Sequence, residues 1–202
     1  MTHWEIMSSQ TAIRGFVCRV ILEGARTLPA DKQRQVLSRV PERTLALIES
    51  TPRMGWVPIE ESMKLTEPLH AVLGTPGFRQ FLSVQSDHMA SYPLLRTFFD
   101  GAVRLFGLTP QALLKWCTYA WEQAFRDCGR LVYQPHKEST EGGRVEMRLE
   151  DVPPVLLVEG TFAQSLAGTF EMFLRRCNRT GWVHLHDPGP RATRFVYDVS
   201  WD

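Results

Sequence analysis

The residues able to do chemistry are few and thinly grouped. The best metal candidate is "HLHD". His184 and His186 stand two apart, and on a β-strand such side chains share a face and could chelate. Asp187 follows but faces the other way unless a turn redirects it, and no third inward ligand is visible. His70 and His88 sit in helical segments among apolar neighbours. A haem iron could take either imidazole, although a single histidine on a helix is ordinary. Cys18, Cys117, Cys128 and Cys177 match neither a CxxC pair nor a zinc-finger spacing. Cys117 and Cys128 fall on one expected helix about 16 Å apart along its axis, too far for a shared metal or a disulfide. All four thiols are expected to be reduced core residues, and no metal site is expected.

Catalytic templates are missing as well. The chain has no GxSxG elbow, no P-loop, no GxGxxG and no HExxH. The acids of "GRVEMRLED" alternate outward with arginines, the pattern of cross-strand charge pairing on a wetted sheet face. No hydrolytic or redox catalysis and no cofactor are expected. The formal net charge is +1 and the longest basic string is Arg175–Arg176, which argues against a dedicated nucleic-acid binder. No run approaches the roughly 18 apolar residues of a membrane span. "MTHWEIMSSQ" lacks the layout of a secretory signal, so a cytoplasmic protein is expected.

What remains is aromatic. In "TPQALLKWCTYAWEQAFRDCG" Trp116 and Tyr119 are three apart, and Trp121 and Phe125 four apart, on different sides of one helix. One side can face the core; the other needs a second helix layer, a pocket or a partner. The ligand-binding candidates are Phe98, Trp116, Tyr119 and Phe173, lining an apolar cavity between a helical half and a sheet.

Those residues must be positioned by a helical first part. Prolines mark the helix starts at Pro29, Pro41, Pro58, Pro76 and Pro110, each read as the first helical residue, where the missing N–H is no loss. The helix opened by Pro58 should end at Gly74, and that opened by Pro110 at Gly129. "PLLRTFFDGAVRLFG" has near-helical apolar spacing, and "IRGFVCRVILEGARTL" is read as helix although Gly15 and its β-branched run favour strand.

The character changes at Gly129. "GRLVYQPH" and "GRVEMRLED" flank "KESTEGG" as a hairpin. Phe162, Leu166, Phe170, Phe173, Leu174 and Cys177 form one helical stripe, with Thr161 as its N-cap. Strands follow at "GWVHLHD" and "ATRFVYDVSW", and in the last Phe195, Tyr197, Val199 and Trp201 alternate toward that helix. The expected fold class is α+β: a single domain over 1–202, with a helical subregion at 1–128 and an α+β subregion at 129–202. The latter runs β-β-α-β-β, a four-stranded antiparallel sheet covered by one helix.

"WVPIE" (Trp56 to Glu60), "WEQAFRDCGRLVYQP" and the terminal "FVYDVSW" resemble an uncharacterised paralogous family of about this length that is abundant in myxobacteria. That family is similar to 4-vinyl reductase domains, haem nitric-oxide-binding domains and trafficking-particle subunits. The resemblance implies a helical half followed by an α+β half, and either small-molecule sensing or dimerising interaction. Vinyl-reductase-type relatives carry metal-binding cysteines near the last strand; Asp187 and Phe195 hold those places here. The tyrosine–serine–arginine signature of the haem-binding relatives is missing from "RVEMRLED". The resemblance therefore carries over neither a metal nor a haem site.

The expected function is a non-enzymatic regulatory or signalling module acting through protein–protein interaction. The alternative is a sensor holding a small apolar ligand in the cavity. The partner is accordingly another protein or a small apolar ligand. Trp4 and Ile6 lie outside any expected element; their burial favours a homodimer, which deletion of Met1 to Ser9 should shift toward monomer.

Overall fold

Proline and glycine punctuate a chain of helices that ends in a sheet. The structure is a computed structural model and describes residues 11–135, 143–158, 160–187, 189 and 193–202, with the side chains at 94, 98, 99, 102, 105 and 106 left aside. It begins with β1 (Ala12–Arg14), which runs straight into α1 (Gly15–Arg26), so both tendencies of that segment are realised in succession. Helices α2 (Ala30–Leu37) and α3 (Glu42–Ser50) follow, then β2 (Trp56–Pro58) and α4 (Ile59–Ala90). Pro29, Pro41 and Pro58 sit at the N-caps of α2, α3 and α4, one residue earlier than expected. Their ψ values of 137–141° are extended, which is the N-cap conformation. Pro76 lies within α4, but Gly74 at φ 67° and ψ 167° breaks the helical path just before it. A side chain would be strained at that φ, so the expected end at Gly74 is a real break between two helical segments.

Helices α5 (Pro93–Phe106) and α6 (Pro110–Ala124) both start on proline. Thr109 caps α6 by accepting from the Ala112 N–H at 3.2 Å. Helix α6 ends at Ala124, not at Gly129. Phe125–Arg126 is extended as β3 and pairs with β1, so Cys128 does not share a helix with Cys117. Strands β2, β1 and β3 form a small antiparallel sheet in that order. Its strands of two and three residues are too short to carry an alternation readable from sequence.

The second part comprises β4 (Arg130–Pro135), β5 (Gly143–Glu150), the one-turn α7 (Pro154–Leu157), α8 (Thr161–Arg176), β6 (Gly181–Leu185) and β7 (Phe195–Trp201). Four strands form an antiparallel sheet in the order β4-β5-β7-β6, covered by α8. The expected α+β architecture is therefore present. Phe195, Tyr197, Val199 and Trp201 are all buried on its inner face. The Tyr197 hydroxyl donates to the Ala163 carbonyl at 3.1 Å, and the Phe170 ring meets Tyr197 edge-on at 5.1 Å. The N-cap of α8 is Gly160 at φ 66°, not Thr161. Thr161 is the first helical residue, and its hydroxyl pairs with His70 Nδ1 at 2.9 Å.

Helix α4 packs along the other face of α8. Gly168 permits the approach, since a Cβ there would lie 2.6 Å from the Arg79 carbonyl oxygen. Arg79 ties three elements together. Its Nε donates to Gln164 Oε1 at 2.6 Å, and its Nη1 donates to Glu171 Oε1 at 3.1 Å and to the Val183 carbonyl of β6 at 3.0 Å. Buried apolar residues from both parts of the chain join one cluster. Among the described residues, no helix is long and apolar enough to cross a membrane. Trp4, Ile6 and most of "KESTEGG" lie outside the described residues.

Candidate functional site

Helix α8 is apolar on more than the expected stripe, so it buries two sides within the one core. Phe170 points to the sheet and meets Tyr197, whereas Phe173 points away from it and meets the Trp116 ring edge-on at 6.3 Å. On that second side α8 faces α1, α4 and α6 across an apolar cavity of about 120 Å³. Phe16 and Val17 of α1, Met63 and Leu82 of α4, and Trp116 and Cys117 of α6 are among the residues that form its walls. Phe162, Leu166 and Phe173 close the α8 side, and Phe125 of β3 closes one end. No residue of the four-stranded sheet lines it. The cavity expected between helices and sheet therefore lies between helices, with α8 separating it from the sheet. The reason is that α8 buries both sides, packing on the sheet by one and on α4 by the other.

The hydroxyls around the cavity are each engaged nearby. Thr66 donates to the Ser62 and Met63 carbonyls, both at 3.3 Å. Ser86 and Thr169 pair at 2.9 Å, Ser165 donates to the Phe162 carbonyl at 2.7 Å, and Ser62 bonds the Cys18 thiol. Such a lining favours an apolar occupant, because it holds out few hydrogen bonds to compensate a polar one. Burial pushes the Cys117 thiol up to about 12, so the sulfur in the wall is a neutral thiol at physiological pH. Ser62, Thr66, Ser165 and Thr169 carry only a weak signal in the sequence, as small hydroxyl residues four apart on one side of α4 and of α8.

The expected ligand residues separate. Trp116 and Phe173 line the cavity together. Tyr119 does not: it is 60% exposed and lines a second, surface groove of about 320 Å³ with Trp116, Thr109, Gln111, Ala112, Lys115 and Tyr133. The Phe98 side chain lies outside the described residues. Trp121 is buried, donates its indole N–H to the Gly129 carbonyl at 2.9 Å and stacks on Phe125 with ring centroids 4.0 Å apart.

The histidines serve elsewhere. His70 bridges Thr161 and Thr75, at 2.9 and 3.0 Å, and stacks on Phe78. His88 is exposed in the last turn of the α4 run. His184 and His186 do share the outer sheet face, with rings 5.0 Å apart, and His186 Nε2 lies 3.1 Å from Asp198 Oδ2. Asp187 instead accepts from the Gly189 N–H within its own turn, at 3.0 Å. Among the described residues, no three His, Cys, Asp or Glu converge on a metal position. Ion pairs run over the outer face: Arg130 with Glu150 and Arg144 with Asp198 across strands as expected, both at 2.7 Å, and Arg148 with Glu146 within β5.

No protein-family model and no curated protein matches the sequence. The fold does match solved structures, and the class they define is the H-NOX fold. An Fe(II) unliganded H-NOX protein from K. algicida superposes with a TM-score of 0.60 at 10% identity, covering 94% of this chain and 97% of that one. An oxygen-binding H-NOX domain related to soluble guanylate cyclases gives 0.54 at 12% identity, with 94% of each chain covered. An H-NOX mutant from T. Tengcongensis gives 0.57 at 12% identity, covering 94% and 98%. At these identities the likeness shows the fold.

Haem, the group of that family, does not fit the residues described here. Among the described residues, no histidine and no tyrosine lines the cavity. The sulfur donors among them are a thiol held protonated and the thioethers of Met63, Met89 and Met172, and no described arginine or lysine lines it to meet propionates. Pockets for drug-sized ligands hold roughly 300–1,000 Å³, and a tetrapyrrole needs at least that; the cavity has about 120 Å³.

Proposed function

We propose that this chain is a non-catalytic sensor domain that binds an apolar molecule no larger than about one aromatic ring. The single observation that carries the reading is the apolar cavity of about 120 Å³ among α1, α4, α6 and α8, whose hydroxyls are engaged locally. For scale, a dry cavity of about 150 Å³ lined by aliphatic and phenyl groups takes up benzene. The H-NOX-like fold supports a sensing role, and the lining favours a small apolar ligand. Docking of a partner protein ranks second. The exposed large apolar side chains, Met54, Val84, Leu108, Tyr119, Val158 and Trp182, come from separate segments of the chain.

Native mass spectrometry of the purified protein and thermal-shift titrations with fluorobenzene, toluene and haemin test the proposal. The ring compounds should bind and raise the melting temperature, as any ligand selective for the folded state does. Haemin should give no stoichiometric complex and no shifted Soret band. A one-to-one haem complex, together with no response to the ring compounds, would overturn the reading.

A further inference from the structure

Three hydroxyls meet on the cavity wall where α4 packs on α8. Ser86 comes from α4, and Ser165 and Thr169 stand four apart on one side of α8. Each hydroxyl has one proton and two lone pairs, so the protons can be followed one by one. The Ser165 hydroxyl donates to the Phe162 carbonyl at 2.7 Å, and the Thr169 hydroxyl donates to the Ser165 carbonyl at 3.3 Å. The Ser86 oxygen lies 2.9 Å from the Thr169 oxygen. Thr169 has already committed its proton to the α8 backbone, so Ser86 is the donor in that pair. All three protons are therefore used within the protein. Lone pairs remain on all three oxygens, and among the described residues both of those on Ser86 are open. One turn away along the same helices the wall is apolar, with Leu82, Met89, Leu166, Met172 and Phe173.

From this geometry we infer that the trio is the recognition point of the cavity, and that its ligand is a single small ring carrying one hydrogen-bond donor, an N–H or O–H, directed at Ser86 Oγ. The inference rests on the ligand-binding reading above and deepens it by naming the polar group of the ligand. A donor finds an oxygen that needs no rearrangement. Ser86 donates to Thr169, which donates in turn to a carbonyl, and a hydroxyl that donates accepts more strongly. An acceptor on the ligand meets lone pairs instead, and turning a hydroxyl proton toward it breaks one of the internal bonds. Further polar groups on the ligand would lose their hydration against the apolar wall without gaining a partner.

Pyrrole and furan test this on the full chain, each displacing fluorobenzene as followed by 19F NMR. The two rings are nearly equal in size and shape and differ in one group, an N–H against an ether oxygen. Pyrrole should bind about three- to tenfold more tightly than furan, the worth of one neutral hydrogen bond. A merely apolar cavity gives the opposite order, since an N–H costs more to remove from water. Ser86→Ala deletes the acceptor and should bring the pyrrole-to-furan affinity ratio to one or below. Thr169→Val, close in shape, releases the Ser86 proton and should likewise move the preference toward furan. Furan binding as tightly as pyrrole to the unaltered protein would overturn the donor assignment, while fluorobenzene binding leaves the cavity reading standing. A pyrrole preference that survives both substitutions would overturn the role of the trio. Absence of fluorobenzene binding in the unaltered protein would remove the cavity reading and the inference together.

Discussion

Replacing Phe170 by alanine tests the placement of α8 between the sheet and the cavity. The ring is fully buried, meets Tyr197 edge-on at 5.1 Å and fills the space between α8 and the middle of the sheet. A Phe→Ala change in such a place costs about 3–5 kcal/mol, the transfer term plus the cavity left behind. The edge-on pairing adds roughly 0.5–1.5 kcal/mol beyond area burial, which puts the expected loss in the upper part of that range. For a chain of this length each kcal/mol lowers the melting temperature by about 2–4 °C, so a loss of about 4–5 kcal/mol gives a fall of roughly 8–20 °C. Urea unfolding followed by far-ultraviolet circular dichroism measures it, with an unchanged m-value showing that the loss is one of stability alone. Because Phe170 faces the sheet, fluorobenzene affinity should be little altered. A loss below about 1 kcal/mol would refute the placement of the ring. A large change in ligand affinity would refute the separation of sheet core from cavity.

Gly168→Ala should destabilise by roughly 1–3 kcal/mol despite the better helix propensity of alanine, because the new Cβ meets the Arg79 carbonyl at 2.6 Å. A gain in urea midpoint would contradict the close α4–α8 crossing. Burial alone would raise the Asp198 carboxyl, but hydrogen bonds from Arg144 and His186, with their charges, hold it below its ordinary value. Its contribution is therefore complete above the ordinary aspartate pKa of about 3.9 and is lost as pH falls through the lower folded value. Unfolding free energies of Asp198→Asn and the unaltered protein should converge as pH drops from about 5 to about 2.5; a constant gap across that range would rule out the linkage.

Periodicity alone determined the long elements. The alternation of Phe195, Tyr197, Val199 and Trp201 fixes which face of β7 is buried, because a strand has a two-residue repeat and one wet side. The repeat from Phe162 to Leu174 likewise identifies α8, and the Arg–Glu alternation of β5 identifies its wetted face. Catalytic motifs were legible as missing from the sequence for the same local reason. The small sheet of β1, β2 and β3 was not legible, since its two- and three-residue strands exist only by pairing segments more than 40 residues apart in sequence. Nor was the end of α6 at Ala124, where pairing of Phe125 with Ile13 outweighs a helical pattern that continues in the sequence. The cavity belongs wholly to tertiary structure. Trp116 and Phe173 were recognisable as rings on helices, but only the crossing of α4, α6 and α8 sets them against each other and turns Tyr119 to solvent. Local spacing states which side of a helix is apolar. Whether two apolar sides close completely or leave room for a ligand depends on how side chains from distant segments fill a shared volume, and no single segment contains that volume.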